Sequence, residues 1–293
     1  QGNPPGRAGA DASEGGLIML VGLKEILGRA QAGGFAIPAF NVYNMETVMG
    51  VIQAAEEKKA PVICQVYNRL FTQGGARFLA PVVLEAAHST CVPVCFHIDH
   101  GAGKEEIVRA IRYGCSSVMI DASACDYEEN IKSTCEIVTL ASANNMDVEG
   151  ELGHVGSVND AGTDEFTVPE EAKDFVDKTG IAALAVQVGT AHGRYKKPPR
   201  LDITRIEQIS GLVNIPLVLH GGSGIPDDQI RASVKAGVRK INFGTDLCYA
   251  FLDRVNAVSR GIYALDLFMK EPVAGVKAFA AGKIELLGAD EKA

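Results

Sequence analysis

Eight short runs rich in Val, Ile and Ala, each followed by a segment of helical period and all falling within roughly 250 residues, predict an α/β protein of the closed (β/α)8 TIM-barrel class. The runs are near-continuous in apolar residues rather than alternating, as strands covered on both faces are. Polar and titratable residues recur just after them, where a parallel barrel collects its chemistry. A doubly wound open sheet is the competing arrangement.

In order along the chain, residues 1–18 are polar and rich in Gly, Pro and Ala, with too little apolar surface to order themselves. They read as a disordered tag or extension, and 19–293 as a single barrel domain. The expected strands are 36–40, 61–66, 92–99, 116–121, 147–152, 183–189, 216–220 and 240–245. Helical periods cover 45–59, 104–113, 128–143, 202–212 and 227–236. Gly114 and Gly237 supply helix stops, and Pro226 opens a helix where its missing N–H costs least. An extra helix at 23–29 precedes strand one, and a helical extension at 273–287 follows strand eight. The stretch 153–167 is long and polar for a barrel connection, which marks a lid or binding loop.

The chain has a formal net charge of −8, which argues against nucleic acid or an anionic membrane as partner and requires any anion site to be built locally. No apolar stretch approaches the ~20 residues of a membrane span. Seven scattered cysteines without a CxxC pair, and no secretory signal, read as reduced core thiols of a cytoplasmic protein.

The stretch from Cys91 to Gly101 carries the sharpest signal, an apolar run ending in His97-Ile-Asp-His-Gly101. Side chains alternate across a strand, so Asp99 and His100 face one side only if the chain turns there, and Gly101 permits the turn. The other expected strand ends carry Asn41, Tyr67, Asn68, Asp121, Glu149, Glu151, His192, His220 and 242–245. Three of the six histidines, His100, His192 and His220, thus fall on one rim, the arrangement of a catalytic zinc with three imidazoles and an open position. His97 reads as a buried supporting residue, His88 as a solvated helix residue, and His154 as the start of the long loop. Two glycine clusters, His220-Gly-Gly-Ser-Gly224 and Asn242-Phe-Gly-Thr-Asp246, each run into a helix and suit a phosphate. Lys240, at the start of strand eight and the far end of the barrel, reads as a surface or stability residue rather than a Schiff-base nucleophile.

These motifs, with Ser117-Val-Met-Ile-Asp-Ala-Ser123, Glu149-Gly-Glu-Leu-Gly153 and Val188-Gly-Thr-Ala-His-Gly193, resemble those of the class II, zinc-dependent fructose-bisphosphate and tagatose-bisphosphate aldolases over roughly residues 20–290. The resemblance implies Zn2+ on His100, His192 and His220, an alternative metal position around Asp121 and Glu151, and Asp99 as general acid/base at the C4 hydroxyl. It places the dihydroxyacetone-phosphate end on Gly193, Gly221, Gly222, Ser223, Asn242, Phe243, Gly244 and Thr245, with Lys196 nearby and Asn41 on the substrate. It further implies a monovalent cation (Na+ or K+) near the phosphate and a homodimer or homotetramer.

Three positions depart from the family's pattern. Tyr67 replaces a small hydroxyl after strand two; Asn159 replaces the loop glutamate that exchanges the C3 proton, leaving Asp160 as nearest carboxylate; and 121–125 lacks the usual His or Lys after strand four. Arg260 is the candidate for a distal phosphate. The expected activity is reversible cleavage of a ketose bisphosphate, fructose 1,6- or tagatose 1,6-bisphosphate, to dihydroxyacetone phosphate and an aldehyde such as glyceraldehyde 3-phosphate. The alternatives are a ketose 1-phosphate or other modified sugar phosphate as substrate, or a catalytically weak barrel that only binds one.

Overall fold

A computed structural model describes residues 19–158 and 166–293. The strands are β1 (Ile37–Asn41), β2 (Val62–Tyr67), β3 (Val94–Gly101), β4 (Ser117–Ile120), β5 (Asp147–Leu152), β6 (Ala183–Val186), β7 (Leu217–Leu219) and β8 (Val238–Phe243). They pair in sequence order, all in parallel, and β8 closes on β1 with Ile37 opposite Lys240. This is the barrel that the alternation of apolar runs and helices predicts.

Helices α1 (Leu23–Gly33), α2 (Met45–Lys58), α3 (Asn68–Thr72), α4 (Ala76–Ser89), α5 (Lys104–Arg112) and α6 (Tyr127–Ser142) flank the first half. The second half carries α7 (Pro169–Thr179), α8 (Ile203–Leu212), α9 (Asp227–Ala236), α10 (Thr245–Ala257), α11 (Leu265–Phe268) and α12 (Lys270–Leu287). Local chemistry sets several boundaries. Asn44 and Thr47 close a capping box on α2, and Asp126 and Asp202 each accept a backbone N–H as N-caps of α6 and α8. Gly237 ends α9 at φ +128°, and a Cβ there would meet Ser210 Oγ at 2.1 Å. The extension α12 is anchored on the barrel wall by Phe279, whose ring lies 6.3 Å from that of Phe40 and 6.2 Å from that of Phe243.

Three expectations change. Strand eight begins at Val238, so Lys240 lies within it, and its side chain is fully buried instead of marking a surface. Strand six ends at Val186 rather than 189, because Gln187 turns its side chain onto the backbone of Gly189 and Thr190. Of the seven cysteines only Cys64, Cys95 and Cys115 are core residues, while Cys91 and Cys125 are exposed. The expected extension 1–18 and residues 159–165 of the long loop, with Asn159 and Asp160, lie outside the described residues. Among the described residues no helix is long and apolar enough to cross a membrane.

Candidate active site

The site grows from a distortion at the end of β3. The turn expected at Gly101 is made one residue earlier, by His100 itself, which holds the left-handed φ of +52° while the register of β3 against β4 shifts between Ile98 and Gly101. A non-glycine residue there carries strain, and here the strain puts Asp99 and His100, neighbours in sequence, on the same cavity. Gly101 is required for a different reason: a Cβ would lie 2.5 Å from the Met119 carbonyl oxygen.

The structure brings His100, His192 and His220 together, with ring centroids 4.7 to 5.8 Å apart and candidate ligand nitrogens within 4.8 Å of one another. His100 Nδ1 lies 2.6 Å from Asp121 Oδ2, and His220 Nε2 lies 2.9 Å from Glu149 Oε1. Of the opposite nitrogens, His100 Nε2 is buried without a hydrogen-bond partner, as is His192 Nε2, while His220 Nδ1 lies 3.2 Å from Glu151 Oε2. Three converging imidazole nitrogens, two of them buried without a partner and two on rings oriented by carboxylates, fit a divalent metal of the zinc type. His100, Asp121 and Glu151 form a second such grouping, also within 4.8 Å, and the single proton of Ser123 Oγ is within reach of Asp121 Oδ1 at 2.7 Å or Glu151 Oε1 at 2.9 Å.

The electrostatics follow from burial set against these charges. Desolvation disfavours the charged form of every member. For His192 it wins, aided by His100 and His220, and lowers the pKa to about 4. For His220 the paired carboxylates Glu149 and Glu151 outweigh it and raise the pKa to about 10; a metal on Nδ1 competes with that proton. Asp99 is buried, yet His100, His220, Lys240 and its bond from Asn41 together lower its pKa, so it stays an ionised acceptor.

Asn41 and Asn242 hold Asp99, donating to Oδ2 at 2.7 Å and to Oδ1 at 3.2 Å. Around them opens a cavity of about 410 Å³ lined by Asn41, Asp99, His100, Asp121, His192, Gly193, Gly221, Ser223, Asn242, Gly244 and Thr245 among others. Gly221, at φ +66°, is needed where a Cβ would lie 2.4 Å from the Ala191 carbonyl oxygen. Helix α10 starts at this wall without a side-chain cap from Gly244, and of its first N–H groups that of Asp246 donates to Ser223 Oγ at 3.1 Å. The amides of Gly222 and Gly224 are instead committed to Asn242 O and Asp246 Oδ2.

Three expected substrate contacts are not among the lining residues. Gly222 lies behind the wall, Lys196 is exposed outside it, and Phe243 is turned into the core against Phe40 at 6.0 Å, as the pleat requires of the residue after Asn242. Arg260 is exposed and also off the cavity. Tyr43 and Arg69 line it without having been expected to, and His154 with 155–157 brings the first part of the expected lid or binding loop to it. Tyr43 and Arg69 each follow an expected rim residue by two positions, and that spacing was the available signal.

The class II fructose-bisphosphate aldolase family model matches residues 21–292. The YdjI aldolase of Escherichia coli K12 is 37% identical, with a TM-score of 0.86 over 94% of this chain and 100% of that one. A fructose-bisphosphate aldolase of Campylobacter jejuni is 26% identical, with a TM-score of 0.80 over 94% and 98% of the two chains. A match along nearly the whole barrel makes this chain a member of the class II fructose-bisphosphate aldolase family, and hence an aldolase.

Proposed function

We propose that the protein is a zinc-dependent aldolase that reversibly cleaves a ketose bisphosphate to dihydroxyacetone phosphate and a phosphorylated aldehyde, with residues 19–293 as its catalytic domain. The observation that carries this reading is the convergence of ring nitrogens of His100, His192 and His220 within 4.8 Å of one another beside a buried, ionised Asp99, with Asp99, His100 and His192 lining one cavity. A divalent ion held by His100, His192 and His220, when bound, supplies a Lewis acid for the carbonyl oxygen of the substrate.

The chain's own residues do the rest. Asp99 takes the C4 hydroxyl proton in cleavage and returns it in condensation, while Asn41 and Asn242 fix its two oxygens. The ketose phosphate end is held by Gly193, Gly221, Ser223 and the start of α10 at Gly244 and Thr245, where a monovalent cation would add positive charge. Arg69 is exposed on the cavity and has no carboxylate among the described residues within 4.0 Å, which supports it in place of Arg260 as the contact for a distal phosphate. Asp160 is the proposed group for proton exchange at C3.

Metal analysis of the purified protein together with a panel of ketose bisphosphates and ketose 1-phosphates tests the reading. The expected result is about one tightly held zinc per chain and preferred cleavage of a bisphosphate. Equal or better cleavage without the distal phosphate would reject the bisphosphate assignment, and trapping of substrate onto the chain by borohydride would reject the metal route.

A further inference from the structure

Lys240 and Glu149 form an ion pair inside the barrel that the chemistry above leaves without a role. Both are fully buried, with Nζ 2.9 Å from Oε2 and 3.2 Å from Oε1. Branched apolar side chains usually fill this space, and two charges there are retained at a desolvation cost that close pairing offsets only in part. Nor does the lysine reach substrate, for it is absent from the cavity wall.

The carboxylate's other neighbours are imidazoles. Glu149 Oε1 lies 2.9 Å from His220 Nε2, and Oε2 lies 3.5 Å from Nε2 of His97, whose Nδ1 is in turn held by Ser117 Oγ at 2.7 Å. An imidazole offers one nitrogen to a metal, and the hydrogen bond made by the other decides which. At the rim, His100 is oriented by Asp121, itself part-exposed and held by the Ser123 hydroxyl and amide. Glu149 lies deeper, with the Lys240 ammonium as its cationic partner among the described residues.

We infer that Lys240 acts through Glu149 as a positioning residue for the metal, pinning the carboxylate that accepts from His220 Nε2 so that Nδ1 is the nitrogen turned to the ion. Without the ammonium, Glu149 is a buried carboxylate whose remaining close partners are imidazoles, and the ring it steers loses its fixed setting. This rests on the reading of His100, His192 and His220 as the metal site.

The test is zinc affinity, measured by titrating the holoprotein with a competing chelator, together with the visible spectrum of the cobalt-substituted form. Lys240→Met combined with Glu149→Leu removes both charges at similar volume, so the double variant keeps the fold while losing the support. The expected result is zinc binding weakened about 10- to 100-fold and an altered cobalt spectrum, with the far-UV circular dichroism of wild type. Should that variant not fold, Lys240→Gln with Glu149→Gln carries the same comparison at nearly constant shape. A folded double variant that binds zinc within about twofold of wild type, with an unchanged cobalt spectrum, overturns the inference alone. Wild-type protein that binds no zinc overturns the metal reading and this inference with it.

Discussion

The side-chain amide of Asn41 donates to Oδ2 of Asp99 at 2.7 Å, from a strand 58 residues away in sequence, and Gln65 in turn donates to the Asn41 oxygen at 2.9 Å. Asp99 is therefore an oriented carboxylate, held from β1 and β8 and not by its own loop. Asp99→Ala is expected to lower kcat by about 10²- to 10⁴-fold while metal content stays at the wild-type level. Steady-state kinetics beside metal analysis checks this, and loss of metal in the variant would show Asp99 to be structural.

His192 is the one triad imidazole for which neither a carboxylate within 4.0 Å nor a hydrogen bond to Nε2 is found among the described residues. With only its position to recommend it, His192→Ala is expected to lose zinc and activity in parallel. Dialysis of wild type against a chelator is expected to abolish cleavage, and added Zn2+ to restore it. Full activity after verified metal removal would defeat the metal route.

Arg69 lines the cavity with its guanidinium carbon 5.5 Å from the Tyr67 ring centroid. Losing one charge-assisted contact should reduce kcat/KM for a ketose bisphosphate about 10- to 100-fold in Arg69→Ala. Cleavage of the corresponding ketose 1-phosphate should change little. An equal loss on both substrates would remove Arg69 from distal recognition.

Burial pushes the Cys64 thiol up to about 12 and Cys95 to about 11. Because the thiolate is the reactive form and its fraction grows with pH, these two stay protonated at pH 8 and would ionise only three or more pH units higher. An alkylating reagent at pH 8 is expected to label exposed Cys91 and Cys125 in the native protein and to spare Cys64, Cys95 and Cys115, as read by peptide mass spectrometry. Early labelling of Cys64 would contradict the packing described for β2.

The barrel was legible in the sequence because each strand is a buried apolar run bounded by turn residues, a pattern set by local composition. The rim histidines were legible because His100 and His220 close such runs and His192 comes a few residues after one. Lys240 was misread because a single lysine near a strand start gives no sign of which face it takes or what lies across the barrel; its partner Glu149 is 91 residues away. The bend at His100 was hidden for a related reason. A positive φ on a histidine follows from the register of β3 against β4, a property of two strands together, and glycine beside it drew the expectation instead.

That bend leaves one peptide unit between the group proposed to move a proton and a group proposed to hold the ion. Any loosening of the backbone there, by heat, denaturant or a substitution under β3, would disturb both functions in the same event. Partial inactivation of this enzyme should therefore be graded in the number of working molecules and not in the quality of each, and a population that keeps its zinc should keep full turnover per zinc.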